Sequence, residues 1–274
     1  DKIKKKDNVV KAAYQSLSYN RAVELYQSRE YDKSMKFFEQ SFTYPIDQRI
    51  SASARFWMAE VAYQKNDYAL AFQRYEQFLD EPGVYESEFH GAGFYGQGYC
   101  KFKEAGKELD PEAAKTKYLD ALPYFKKFID THGIKDPRKN YDAILRVADI
   151  YFVNKQYENA IVFYDKVADD SQGNKDYAMF QKGLAYGYLG QPDKKTWVLK
   201  SMLKELPGSK FEVDAIYELA KSYLMDDRLI ESEEYYNILF KDHEGSAYTK
   251  KALADQCLLF AKQNKLDKLK QAWN

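Results

Sequence analysis

The chain has 274 residues, 45% hydrophobic and 31% charged, and its 42 basic and 42 acidic residues cancel. A compact fold of that length would need more than one domain; a stack of repeats would not, because each repeat touches only its neighbours. Zero net charge gives no electrostatic ground for a nucleic-acid or anionic-membrane partner, and no apolar run is long enough for direct membrane insertion.

The first residues, with Lys4, Lys5 and Lys6, lack the apolar stretch of a secretory signal and read as a solvated chain end. An exported chain whose signal has been removed is compatible with that start. The first helical pair is expected over residues 12–28 and 31–44, ended by Tyr44-Pro45 because proline disfavours helix in the residue before it. Residues 53–82 form the clearest pair: Ala59, Ala62 and Ala71 are small, and Phe56, Trp57, Tyr63, Tyr68, Phe72, Tyr75 and Phe78 are large. Closely packed antiparallel helices need small residues where backbones approach and rings where they diverge. Between the two runs, Asn66 suits a left-handed helix end and Asp67 an N-cap.

The third pair starts near Ser87 and is interrupted by an insertion over residues 104–116. Asp110 can cap a helix starting at Pro111; the sequence leaves open whether the insertion is a loop or lengthens the following helix. Pro123 fits only near a helix start or a kink. Residues 140–169 form a regular fourth pair and residues 176–207 a degenerate fifth, with Lys195 at a small position and Pro192 opening the second helix. Residues 211–243 form the sixth. The seventh begins at Ala247 and reaches Asn274 inside its second helix.

The residues that open the second helices set the period. Tyr31 and Tyr68 lie 37 residues apart, Tyr157 and Pro192 35, and Pro192, Leu229 and Leu266 37 each. The 89 residues from Tyr68 to Tyr157 suit two periods plus an insertion. Small residues of the first helices then fall at Ala22, Ala59, Gly96, Ala148, Gly183, Ala220 and Cys257. Those of the second fall at Ser34, Ala71, Ala121, Ala160, Lys195, Ser232 and Leu269. Lys195, Cys257 and Leu269 depart from the rule.

This pattern resembles the tetratricopeptide repeat (TPR), a helix–turn–helix unit of about 34 residues that stacks into solenoids. The resemblance implies an all-α, right-handed superhelical solenoid of about seven units spanning residues 1–274; because no polar capping helix is visible, the chain is expected to be a fragment of a longer repeat protein or to lack its tail. It implies a non-catalytic scaffold whose first helices line a concave groove. Carried over position by position, that groove would hold Tyr19, Val23, Tyr26, Phe56, Glu60, Tyr63, Gln97, Cys100, Asp149, Phe152, Tyr177, Phe180, Tyr217, Lys221 and Leu224. It would take a protein or peptide segment against rings, with charges fixing register; some of these rings could equally be packed by neighbouring repeats. The family's chaperone-tail clamp uses a recurring groove asparagine, and Val23, Glu60, Gln97, Asp149, Leu184 and Lys221 at that position disfavour it. The wording of residues 56–63 with Phe78, Leu79 and Pro82 is similar to bacterial cell-envelope TPR proteins such as the Tol–Pal coordinator and the outer-membrane-assembly lipoproteins. That implies a periplasmic or envelope location; a cytoplasmic one stays open.

No motif carries catalysis. Residues 91–96 match G-x-G-x-x-G, but no strand precedes them as a dinucleotide site requires; close helix packing explains the glycines. His90, His132 and His243 have no histidine at i+4 and there is no Cys-x-x-Cys, so no metal or cofactor is expected. Asp169-Asp170 and Asp226-Asp227 read as turn and cap residues. Cys100 and Cys257, in distant repeats, read as free thiols. Two further functions remain: a structural spacer self-associating through an apolar end at Leu266, Leu269 and Trp273, and a small-molecule receptor or enzyme with the insertion as lid.

Overall fold

The computed structural model describes residues 7–167 and 174–273. Lys4 to Lys6 and Asp169-Asp170 lie outside the described residues, as does the side chain of Trp273. Fifteen α-helices and no strand occur among the described residues. The chain divides into two compact units, Asp1–Ile150 and Tyr151–Asn274.

The first unit holds α1 (Asn8–Gln27), α2 (Tyr31–Ser41), α3 (Gln48–Gln64), α4 (Tyr68–Leu79), α5 (His90–Ala105), α6 (Pro111–Leu119), α7 (Leu122–His132) and most of α8 (Pro137–Val153). In it α1 packs on α2, α3 on α4, and α5 on α7. The second unit holds α9 (Tyr157–Asp165), α10 (Lys175–Tyr188), α11 (Pro192–Glu205), α12 (Glu212–Met225), α13 (Leu229–Asp242), α14 (Ala247–Lys262) and α15 (Leu266–Trp273). There α10 packs on α11, α12 on α13, and α14 on α15. Each unit is thus an all-α stack of helix–turn–helix pairs. The insertion is a helix of its own: α6 starts at Pro111, and the Asp110 carboxylate accepts from the Glu112 and Ala113 amides. Pro123 sits in the first turn of α7.

One turn recurs in both units. Arg29, Asn66, Lys155, Gly190, Asp227 and Asn264 all adopt φ between 55° and 67°, each two residues before a second helix. The following amide donates to the carbonyl five residues back: Glu30 to Leu25 at 2.8 Å, Asp67 to Ala62 at 3.1 Å, Arg228 to Tyr223 at 2.9 Å. This is a Schellman closure of the first helix. The tight reversal brings the helices of a pair together at the small positions. Ala22, Ala59, Ala71, Ala121, Ala148, Ala160, Ala220, Ser34 and Ser232 are fully buried. At two of them the serine hydroxyl bridges the pair: Ser34 Oγ donates to the Ala22 carbonyl at 2.8 Å, and Ser232 Oγ to the Ala220 carbonyl at 2.9 Å.

Gly96 shows how close the approach is, since a Cβ there would stand 2.4 Å from Tyr75 Cζ. Lys195 does not break its repeat. Its stem lies against Gly187, and its ammonium reaches Glu218 on α12 at 2.7 Å. Leu266, by contrast, is 61% exposed.

Candidate partner-binding surface

In the first unit, α1, α3, α4 and α5 bring tyrosines around one carboxylate. Glu60 stands at the expected first-helix position of α3. Tyr75, buried on α4, donates its hydroxyl to Glu60 Oε1 at 2.5 Å, and Tyr26 on α1 lies 3.4 Å from Oε2. Glu60, Tyr63, Tyr75, Tyr95, Gly96 and Tyr99 line a cleft of about 220 Å³. Burial raises the Glu60 carboxyl above the usual glutamate range, outweighing the tyrosine donors that favour its charged form. The same environment raises the Tyr63 hydroxyl, first by burial and then through the charges of Tyr68, Cys100, Glu60 and Asp142.

A second carboxylate adjoins the first. Tyr95 and Tyr99 both donate to Asp142 Oδ2 on α8, Tyr95 at 2.7 Å. Arg146, one turn on, approaches Asp142 at 3.7 Å and bonds Asp149 at 2.9 Å. Asp149 therefore occupies its expected helix, in contact with Arg146. Tyr95, Tyr99 and Asp142 were not expected here. None of the three falls at a repeat position that the resemblance places in the groove.

Of the remaining expected residues in this unit, Tyr19 is half-buried and accepts from Trp57 Nε1 at 3.1 Å. Val23 and Tyr26 pack at the edge of the α1–α2 core. Phe56 is a correction. It is 5% exposed, stacked parallel on Phe89 at 4.5 Å and against Phe78 at 5.5 Å, so it packs the core. Gln97 and Cys100 are likewise buried.

In the second unit Phe152 is half-buried, edge-on to Tyr157 and Tyr188. Tyr177 packs beside Phe211. Phe180 and Tyr217, both 8% exposed, and Leu224, 3% exposed, are further corrections. Phe180 stacks on Phe211, and the Tyr217 hydroxyl is bonded to Asp255 at 3.0 Å. Lys221 alone of that group is exposed. Rings of first helices thus divide between core and surface by their neighbours, which residue type does not reveal.

The glycines of residues 91–96 lie within α5 and next to it no strand is present among the described residues. A Cβ at Gly93 would stand 2.8 Å from Phe78, so they serve helix contact. The structure also pairs two histidines that are 42 residues apart, His132 Nε2 and His90 Nδ1 at 3.2 Å. Burial lowers both below the usual imidazole range. Among the described residues no three metal-ligating side chains gather, and no helix is long and apolar enough to cross a membrane. Both thiols are free.

No family model matches the chain, and no curated protein does. Among solved structures, it is similar to the C-terminal part of a TPR repeat-containing protein from Cytophaga hutchinsonii. That match has a TM-score of 0.66 at 15% identity, over 93% of this chain and 92% of the other. It is also similar to PilW, a widely conserved type IV pilus biogenesis factor, at 0.54 and 14% identity, over 90% and 100%. A third is YrrB, a TPR protein with an unusual peptide-binding site, at 0.53 and 18% identity, over 72% and 89%. The fold is that of the tetratricopeptide repeat proteins.

Proposed function

We propose that the chain is a non-catalytic interaction scaffold whose first unit binds an extended segment of a protein partner along α1, α3 and α5. The observation that carries this is the cleft of about 220 Å³ lined by four tyrosines over the buried carboxylate of Glu60. Rings of this kind supply large contact area at low entropic cost, and a few such anchors usually dominate an interface. The peptide-binding site named for YrrB supports the same use of the fold. An envelope location draws its support from the likeness to PilW and is tested by cell fractionation.

The test is recovery of a partner by pull-down followed by titration against surface variants. Tyr26→Ala together with Tyr63→Ala should weaken binding at least about tenfold, near 1.4 kcal/mol, with helicity retained. Phe56 is unsuited to this test, because its removal opens the core. Unaltered affinity in the folded double variant would move the site elsewhere, the insertion helix α6 being the next candidate.

A further inference from the structure

We propose that the Glu60 cleft seats a lysine side chain of the bound segment, an inference that rests on the peptide-binding reading above. Glu60 is a buried carboxylate, and among the described residues no lysine, arginine or histidine nitrogen forms an ion pair with it. A buried charge without a partner of opposite sign is costly. Its hydrogen-bond partners are hydroxyls, Tyr75 and Tyr26, of which the Tyr26 contact at 3.4 Å is too long to be strong, and Lys139 favours its charge only through its field. Asp142 is better served, with two tyrosine hydroxyls and the Arg146 guanidinium. The acid without a cation in contact is therefore Glu60.

The walls suit a cation as well. Elsewhere in this unit basic side chains lie over rings: Lys101 over Phe72 and Lys107 over Tyr68, both at 4.3 Å, and Arg146 over Phe102 at 5.6 Å. Tyr75 is sealed in the core, but Tyr63, Tyr95 and Tyr99 are half-buried and present ring surface to the cleft. Those faces can take an ammonium from outside, and the attraction strengthens as the site is desolvated. The cleft of about 220 Å³ has room for the five heavy atoms of a lysine side chain. Geometry favours lysine over arginine. Tyr75 already holds one lone pair of Glu60 Oε1, and a compact ammonium with three rotatable donors fits beside it more readily than a planar fork that must align with both oxygens.

The experiment uses a bead library of random nonapeptides with acetylated N-termini, selected on the whole chain and separately on Glu60→Gln. Circular dichroism confirms that the variant is folded. Selection on the native chain should enrich lysine at one fixed position at least tenfold over input. That enrichment should vanish on the variant, and acetylating the selected lysine should cost at least tenfold in affinity. The acetylation arm needs no variant. Peptides selected without a lysine preference, with arginine enriched equally, or with lysine enriched on both proteins would overturn the lysine assignment and leave the peptide-binding reading standing. No selected peptides at all would overturn both.

Discussion

The α3–α4 pair of the first unit and the α12–α13 pair of the second match position for position, 161 residues apart. Ala59 and Ala220, Ala71 and Ser232, Tyr75 and Tyr236, and Phe78 and Leu239 are equivalent and all fully or almost fully buried. The turn residues Asn66 and Asp227 share the left-handed conformation. Glu60, whose carboxylate is buried under tyrosines, answers to the exposed base Lys221, and Tyr63 answers to the buried Leu224. Positions that hold the helices together keep their size, while the position facing out changes charge and surroundings. The scaffold repeats and the site does not.

The comparison can be broken most sharply at Gly96, whose counterpart in the second unit is Cys257. Gly96→Cys imports the second unit's residue into the first. The new side chain meets the Tyr75 ring, so we expect a loss of about 1–3 kcal/mol from overpacking, read as a lower denaturation midpoint. Ala71→Trp should cost the same or more. An unchanged midpoint in either would mean that the helices of the first unit do not approach as closely as drawn. Next in size is binding. Lys221→Ala should leave affinity within about 0.5 kcal/mol, as distant surface changes generally do, while Tyr63→Ala weakens it; equal effects would erase the distinction between the two faces.

Two carboxylates sharpen the contrast through pH. Burial raises Glu60, so between the ordinary glutamate range and the raised value the folded chain holds a proton there that the unfolded chain has released. Its contribution is favourable below the ordinary glutamate range and is lost as pH rises through the raised value. Glu60→Gln should therefore raise the melting midpoint at neutral pH and leave it nearly unchanged in acid. Glu233 in the second unit runs the other way. Burial alone would raise it, but Lys265, Lys268 and Gln263 outweigh burial and hold it at about 2. Its stabilisation is present above the ordinary glutamate range and fades as pH falls toward about 2. Glu233→Gln should cost stability at neutral pH and nothing in strong acid, and parallel pH profiles for the two variants would contradict this assignment. The smallest effect is on thiols: Cys257, half-buried, should alkylate in the native chain, and Cys100, fully buried, only on unfolding.

Size alternation and period made the helical pairs legible before any coordinates, because close backbone approach restricts residue volume directly. The insertion helix was legible in part, from Asp110-Pro111. The recurring left-handed turn was read at Asn66; Gly190, Asp227 and Asn264 carry residue types that favour the same φ, whereas Arg29 and Lys155 adopt it without such side chains. The site was harder. Glu60, Tyr26 and Tyr63 lie where the repeat places them, but Phe56 points at Phe89, a residue outside any repeat position, and is drawn into the core. Tyr95 and Tyr99 gain their role from Asp142, 47 and 43 residues away. His90 and His132 meet for the same reason: the contact spans an insertion that periodicity cannot count through.

The central claim, that the first unit's tyrosine cleft is where a partner segment lies, is tested most directly by amide hydrogen exchange of the whole chain with and without a bound segment. The account predicts slowed exchange in residues 59–64 and 95–101, with residues 216–225 of the second unit unchanged. Slowing confined to residues 216–225, or to the insertion helix at residues 111–119, would contradict it.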